Sequence, residues 1–85
     1  MYKYVTKGTC SREIQIAINP KGIIEEVEFK GGCNGNLQGL VKLALGKDAK
    51  EVMELLKGIK CQNDTSCPDQ LSKAIKCCLE AQNML

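Results

Sequence analysis

The apolar residues of this chain change period once, at the loop "GGCNGN" (residues 31–36): they alternate before it and fall at helical spacing after it. "EIQIAIN" at 13–19 puts Ile14, Ile16 and Ile18 on one face and Glu13, Gln15 and Ala17 on the other, the period of a half-buried strand. "NPKG" follows. Pro20 presets φ for the second turn position and Gly22 closes the turn, so the chain reverses into a second strand, "IIEEVEFK", with Ile23, Val27 and Phe29 facing inward. Glu25 interrupts that alternation, and a bulge or fraying next to the turn is what would bring it to water. "YKYV" at 2–5 supplies a third strand of the same sheet.

Beyond the loop, Leu37, Leu40, Val41, Ala44 and Leu45 share a helical face that Leu43 widens, which predicts a well-buried helix. Asp48 with Glu51 opens a second helix as a capping box; its inner face carries Ala49, Val52, Leu55 and Leu56, and Gly58 ends it. A third helix opens at "SCPDQ", with Pro68 where a missing N–H costs least, and continues on Leu71, Ala74, Ile75, Cys78, Leu79 and Gln82. Strands first and helices second predict an α+β domain: a small antiparallel sheet of about three N-terminal strands with three C-terminal helices packed on one face. No repeat or linker divides the chain, so residues 1–85 read as a single domain.

A domain of 85 residues has a thin margin, because ordering costs roughly 1.5 kcal/mol per residue and nearly cancels its apolar burial. Tyr2, Tyr4 and Phe29 are its only aromatic residues, so a cross-link would matter. Twelve basic and ten acidic side chains interleave, giving a charge of +2 with no basic stripe, which argues against a nucleic-acid partner. The start "MYKYVTKGTC" lacks the apolar run of a secretion signal, and no stretch approaches the roughly 18 apolar residues of a membrane span. The expected location is cytoplasmic. There, six cysteines point to metal or redox chemistry rather than a disulfide framework, since cytosolic thiols are kept reduced. "NDT" at 63–65 matches a glycosylation acceptor, a chance match in a chain with no export signal.

Four of the six cysteines sit where the chain is expected to change direction: Cys10 before the long strand, Cys33 after the second, Cys61 after the second helix and Cys67 at the start of the third. Cys78 lies on the apolar stripe of the last helix, as a small hydrophobe, and Cys77 on its flank. Cys33 and Cys67 each stand at a helix start, where unpaired N–H groups and the helix dipole stabilise a thiolate. Glycines around Cys33 suit a loop wrapped around an ion, or equally a plain link from strand to helix. With no histidine in the chain, a transition-metal site would be sulfur-rich, tetrahedral zinc first and an iron–sulfur cluster second. The separations between the four, lacking paired C-x₂-C knuckles, do not decide between a metal site and a thiol-redox pair formed by Cys61 and Cys67.

Other chemistry fits poorly. The absence of histidine excludes a Cys–His pair and leaves Ser11, Ser66 and Ser72 without a histidine base. "GGCNGNLQG" leads from strand to helix but has neither the G-x-G-x-x-G spacing nor a βαβ frame for a dinucleotide. Glu25 and Glu26 are adjacent on a strand and do not form a carboxylate pair.

"GTCSREI", "VEFKGGCNGNLQGL", "LLKGIKC" and "TSCPDQLSKAI" together resemble the TSCPD-domain family of small four-cysteine proteins, relatives of the C-terminal domain of adenosylcobalamin-dependent ribonucleotide reductases. The resemblance covers nearly the whole chain. It implies a free-standing protein whose motif cysteines bind a metal, and residue by residue these are Cys10, Cys33, Cys61 and Cys67; Cys77 and Cys78 match no motif. It also implies a partner such as a reductase, with no catalysis by this chain alone, since 85 residues cannot build that enzyme's barrel. "VEFKGGCNGNLQGLVKL" is similar in outline to iron–sulfur scaffold proteins of the IscU and SufU type, over that segment alone. The edges of a small sheet leave pairing between chains open, a homodimer included.

Overall fold

The structure is a computed structural model and describes residues 2–6, 11–31, 34–59 and 66–84. Three antiparallel strands in the order β1 (Tyr2–Val5), β2 (Ser11–Ile18), β3 (Ile24–Gly31) precede three helices, α1 (Asn34–Ala44), α2 (Ala49–Leu56) and α3 (Cys67–Ala81). β2 is central. Its Ile14, Ile16 and Ile18 all point into the core, while Glu13, Gln15 and Ala17 stay half-exposed on the open face. The helices cover the first of these faces, α3 across β2 and β1, α1 along β3, and α2 against α3.

The β2–β3 turn is built by Asn19. Its backbone oxygen accepts from Gly22 N (2.9 Å), and its Oδ1 accepts from Lys21 N (2.9 Å) and Ile23 N (3.0 Å). Gly22 takes φ +83°, a conformation open to glycine at little cost. Glu25 is bulged. The ladder passes from Ala17↔Glu26 to Ile18↔Ile24, so one extra residue on β3 lets Glu25 and Glu26 both face solvent. The inward set therefore becomes Ile24 and Val27 with Phe29 half-buried, and Ile23, expected inside, is only half-buried.

The helices supply the other half of the core: Leu71, Ala74, Ile75, Cys78 and Leu79 from α3, Ala49 and Val52 from α2, Leu37 and Ala44 from α1. Two expectations fail here. α1 is not well buried, since Leu40 and Val41 are half-covered and Leu43 is 74% exposed. On α2, Leu55 points away from the core and is 70% exposed. Asp48 caps α2 by accepting from Lys50 N, and Gly58 at φ +81° turns the chain out of it. Among the described residues no helix is long and apolar enough to cross a membrane.

Candidate functional site

Cys67 is the first residue of α3, and its helix start is fixed by three side chains. Ser66 is the N-cap: its Oγ accepts from Asp69 N (3.1 Å) and donates to Ile59 O (2.6 Å). Asp69, 6% exposed, accepts from Gly58 N through Oδ1 (2.8 Å), and its Oδ2 meets Lys73 Nζ at 3.5 Å. One turn on, Ser72 Oγ donates to Met53 O (2.8 Å). The first turns of α3 thus hold the last turn of α2, and the Ser66–Ile59 bond joins the two ends of the segment that carries Cys61.

The direction of α3 shows which end of the domain this is. At its far end, Gln82 Nε2 donates to Ile18 O (3.2 Å), at the last residue of β2. Tyr2, paired with Ile16, lies against Cys77, and Tyr4, paired with Ile14, senses both Cys77 and Asp69. α3 therefore runs alongside β2 in the same direction. From Gln82 back to Cys67 a helix covers about 22 Å, and from Ile18 back to Ser11 a strand covers about 23 Å, so Cys67 and Ser11 come level. Ser11 is the Cα partner of Gly31. α1 starts just past Gly31 and returns to Ile24, whose carbonyl accepts from Gly46 N (2.9 Å). Hence the described residues flanking positions 10, 33 and 61 stand at the same end as Cys67.

Cys10, Cys33 and Cys61 themselves lie outside the described residues. Cys67 is half-buried, and with Cys77 and Cys78 it is a thiol rather than part of a disulfide among the described residues. Within that described set, no group of three or more Cys, Asp and Glu could hold a metal ion. Cys78 is placed as its position on the apolar stripe suggests: it is 1% exposed and its Sγ donates to Gln82 Oε1 (3.2 Å). Burial pushes its thiol above the ordinary value of 9.0. The Tyr2 and Tyr4 phenols are likewise raised from 10.0, first by loss of hydration and then by the neighbouring Cys77.

The reading of the sequence anticipated Pro68 and Asp69 at the helix start but not the Ser66 cap or the bond from Gly58. The first had a local signal, since "SCPD" has the S-x-x-D form of a capping pair ahead of an apolar run. The second had none, because Gly58 and Asp69 are brought together only when α2 folds back on α3.

A three-stranded sheet under three helices, with a serine–aspartate clamp below a helix that begins on cysteine, defines a small α+β domain whose cysteine-bearing segments leave from one end. The chain belongs to the TSCPD domain family, which it matches over residues 2–78. No curated protein and no solved structure matches it.

Proposed function

We propose that this chain is a non-enzymatic metal-binding domain in which the thiolates of Cys10, Cys33, Cys61 and Cys67 bind one zinc ion, with an iron–sulfur cluster as the alternative occupant. The observation that carries this reading is the convergence of chain segments. Ser11, Gly31 with Asn34, and Ile59 with Ser66 bracket the other three cysteines and share one end of the domain with Cys67. The donor set fits: four sulfurs and no histidine suit tetrahedral zinc or iron. When bound, zinc would cross-link sheet and helices. In small peptide folds such a site contributes about 10–16 kcal/mol, against about 5 kcal/mol of net stability for a small domain. The family membership is consistent with an accessory role beside a larger enzyme such as a reductase, in the cytoplasm.

Elemental analysis and native mass spectrometry of protein purified without chelator test this reading. About one equivalent of zinc or iron is expected, with thiols that resist alkylation until the metal is removed. Metal-free protein that stays folded in strong chelator, with rapid alkylation and a reversible Cys61–Cys67 disulfide, would establish the thiol-redox alternative in its place.

A further inference from the structure

The side-chain bonds that join α3 and its cap to α2 and the chain leaving it differ in what they hold. Ser72 Oγ reaches Met53 O inside α2, and Asp69 Oδ1 accepts from Gly58 N, just past the α2 C-cap. The bond from Ser66 Oγ to Ile59 O (2.6 Å) lies furthest along, at the last described residue before the segment 60–65 that carries Cys61. Helix capping does not account for it. An N-cap needs only an acceptor, which Ser66 supplies to Asp69 N (3.1 Å), and the hydroxyl proton is left over for Ile59. Packing does not seat Ile59 either, since it is 41% exposed, and its N–H reaches Leu56 O only at 3.4 Å. Ser66 itself is 6% exposed, so its hydroxyl is shielded from water.

We infer that Ser66 is a positioning residue for the metal site, its hydroxyl holding the start of the Cys61 segment against the helix that opens on Cys67. This role rests on the four-cysteine reading given above. A run such as 60–65 can span about 20 Å when its ends are free. With Ile59 and Ser66 in contact, those ends are joined before any ion arrives. Binding then has less loop to close, and less ordering entropy opposes it. Groups that orient metal ligands without touching the metal are typically worth about ten- to a hundredfold in affinity. The role falls on Cys61 in particular. Cys10 and Cys33 are flanked by Ser11 and Gly31, which the β2–β3 ladder pairs with each other, so their side of the site is set by strand pairing without Ser66.

Zinc titration against a competing chelator, on the full chain reduced and stripped of metal, tests this role with two variants. Ser66→Gly and Ser66→Thr are alike as helix caps, and only threonine keeps the hydroxyl. Ser66→Gly should weaken zinc binding about tenfold or more, and Ser66→Thr by no more than about threefold. In the zinc-loaded Ser66→Gly protein, alkylation mapped by mass spectrometry should reach Cys61 ahead of Cys10 and Cys33, whereas a general loss of stability would expose all of them together. Equal zinc affinity for the wild type and Ser66→Gly, or alkylation that does not single out Cys61, overturns the role of Ser66 and leaves the metal site standing. A wild-type chain that takes up no zinc overturns the metal reading itself, and the role of Ser66 with it.

Discussion

At the end of the domain marked by Gly22, β3, the α1–α2 turn and α2 are joined to one another by backbone bonds, whereas at the end marked by Cys67 the chain leaving α2 is joined to α3 by side chains. Ile24 N donates to Lys47 O (3.0 Å), Gly46 N to Ile24 O (2.9 Å) and Ala49 N to Gly22 O (2.8 Å), which knits β3, the α1–α2 turn and α2 together. Opposite, Ser66 and Asp69 tie Ile59 and Gly58 to α3. Backbone bonds form with almost any side chain present, so the first junction follows from topology, while the second depends on Ser66 and Asp69.

Metal removal should separate the two ends most strongly. If zinc is held as proposed, a chelator should cost several kcal/mol, enough to unfold the domain or drop its melting temperature by tens of degrees, read by circular dichroism. Next comes Asp69→Ala. It takes away a buried carboxylate that accepts from the exposed Gly58 N–H and should cost about 1–3 kcal/mol in urea denaturation. Gln82→Ala, at the other end, removes the bond to Ile18 O and the acceptor of the Cys78 thiol, both made by a side chain at the surface, and should cost about 0.5–1.5 kcal/mol. Equal losses for the two variants would erase the contrast between the ends.

Smaller effects sharpen it further. Gly39→Ala should raise stability by about 0.5–1 kcal/mol, since α1 gains a better helix former and the added Cβ meets no atom of another element among the described residues. The mildest change is with pH. The Cys78, Tyr2 and Tyr4 protons are held more tightly in the folded chain than in the unfolded one. Their contribution is thus complete below the ordinary values of 9.0 and 10.0 and is lost as pH rises through the higher folded values. Melting temperature should decline in the alkaline range, with Cys78→Ala flattening the first part of that decline.

The element order was legible because periodicity is local. Ile14, Ile16 and Ile18 read as a strand face, and Leu71, Ala74, Ile75, Cys78 and Leu79 as a helix stripe, and each is buried as its spacing indicates. The register of β3 was not, because two successive glutamates can be turned outward by a bulge on either side, and only pairing with Ala17 and Ile18 selects Ile24 over Ile23 as the inward residue. Leu43 and Leu55 show another limit: an apolar residue at helical spacing marks a candidate for burial, and here both stay exposed. For the site, the sequence offered four cysteines at element ends. Of these, Cys67 stands where its Ser66 cap and Pro68 put it, and the flanks of the others gather at its end of the fold.

The bulge at Glu25 also bears on how this molecule behaves in a crowded solution. β3 is an outer strand of the sheet, and an outer strand invites growth by addition of another chain. Here the outer backbone of Ile24 is already occupied by Gly46 and Lys47, the ladder loses its regular step at Glu25, and Glu25, Glu26 and Glu28 line the run that follows. A chain arriving to extend the sheet would find no continuous template and three carboxylates. Growth of the sheet along this edge is thus opposed by the same irregularity that keeps two adjacent glutamates in water.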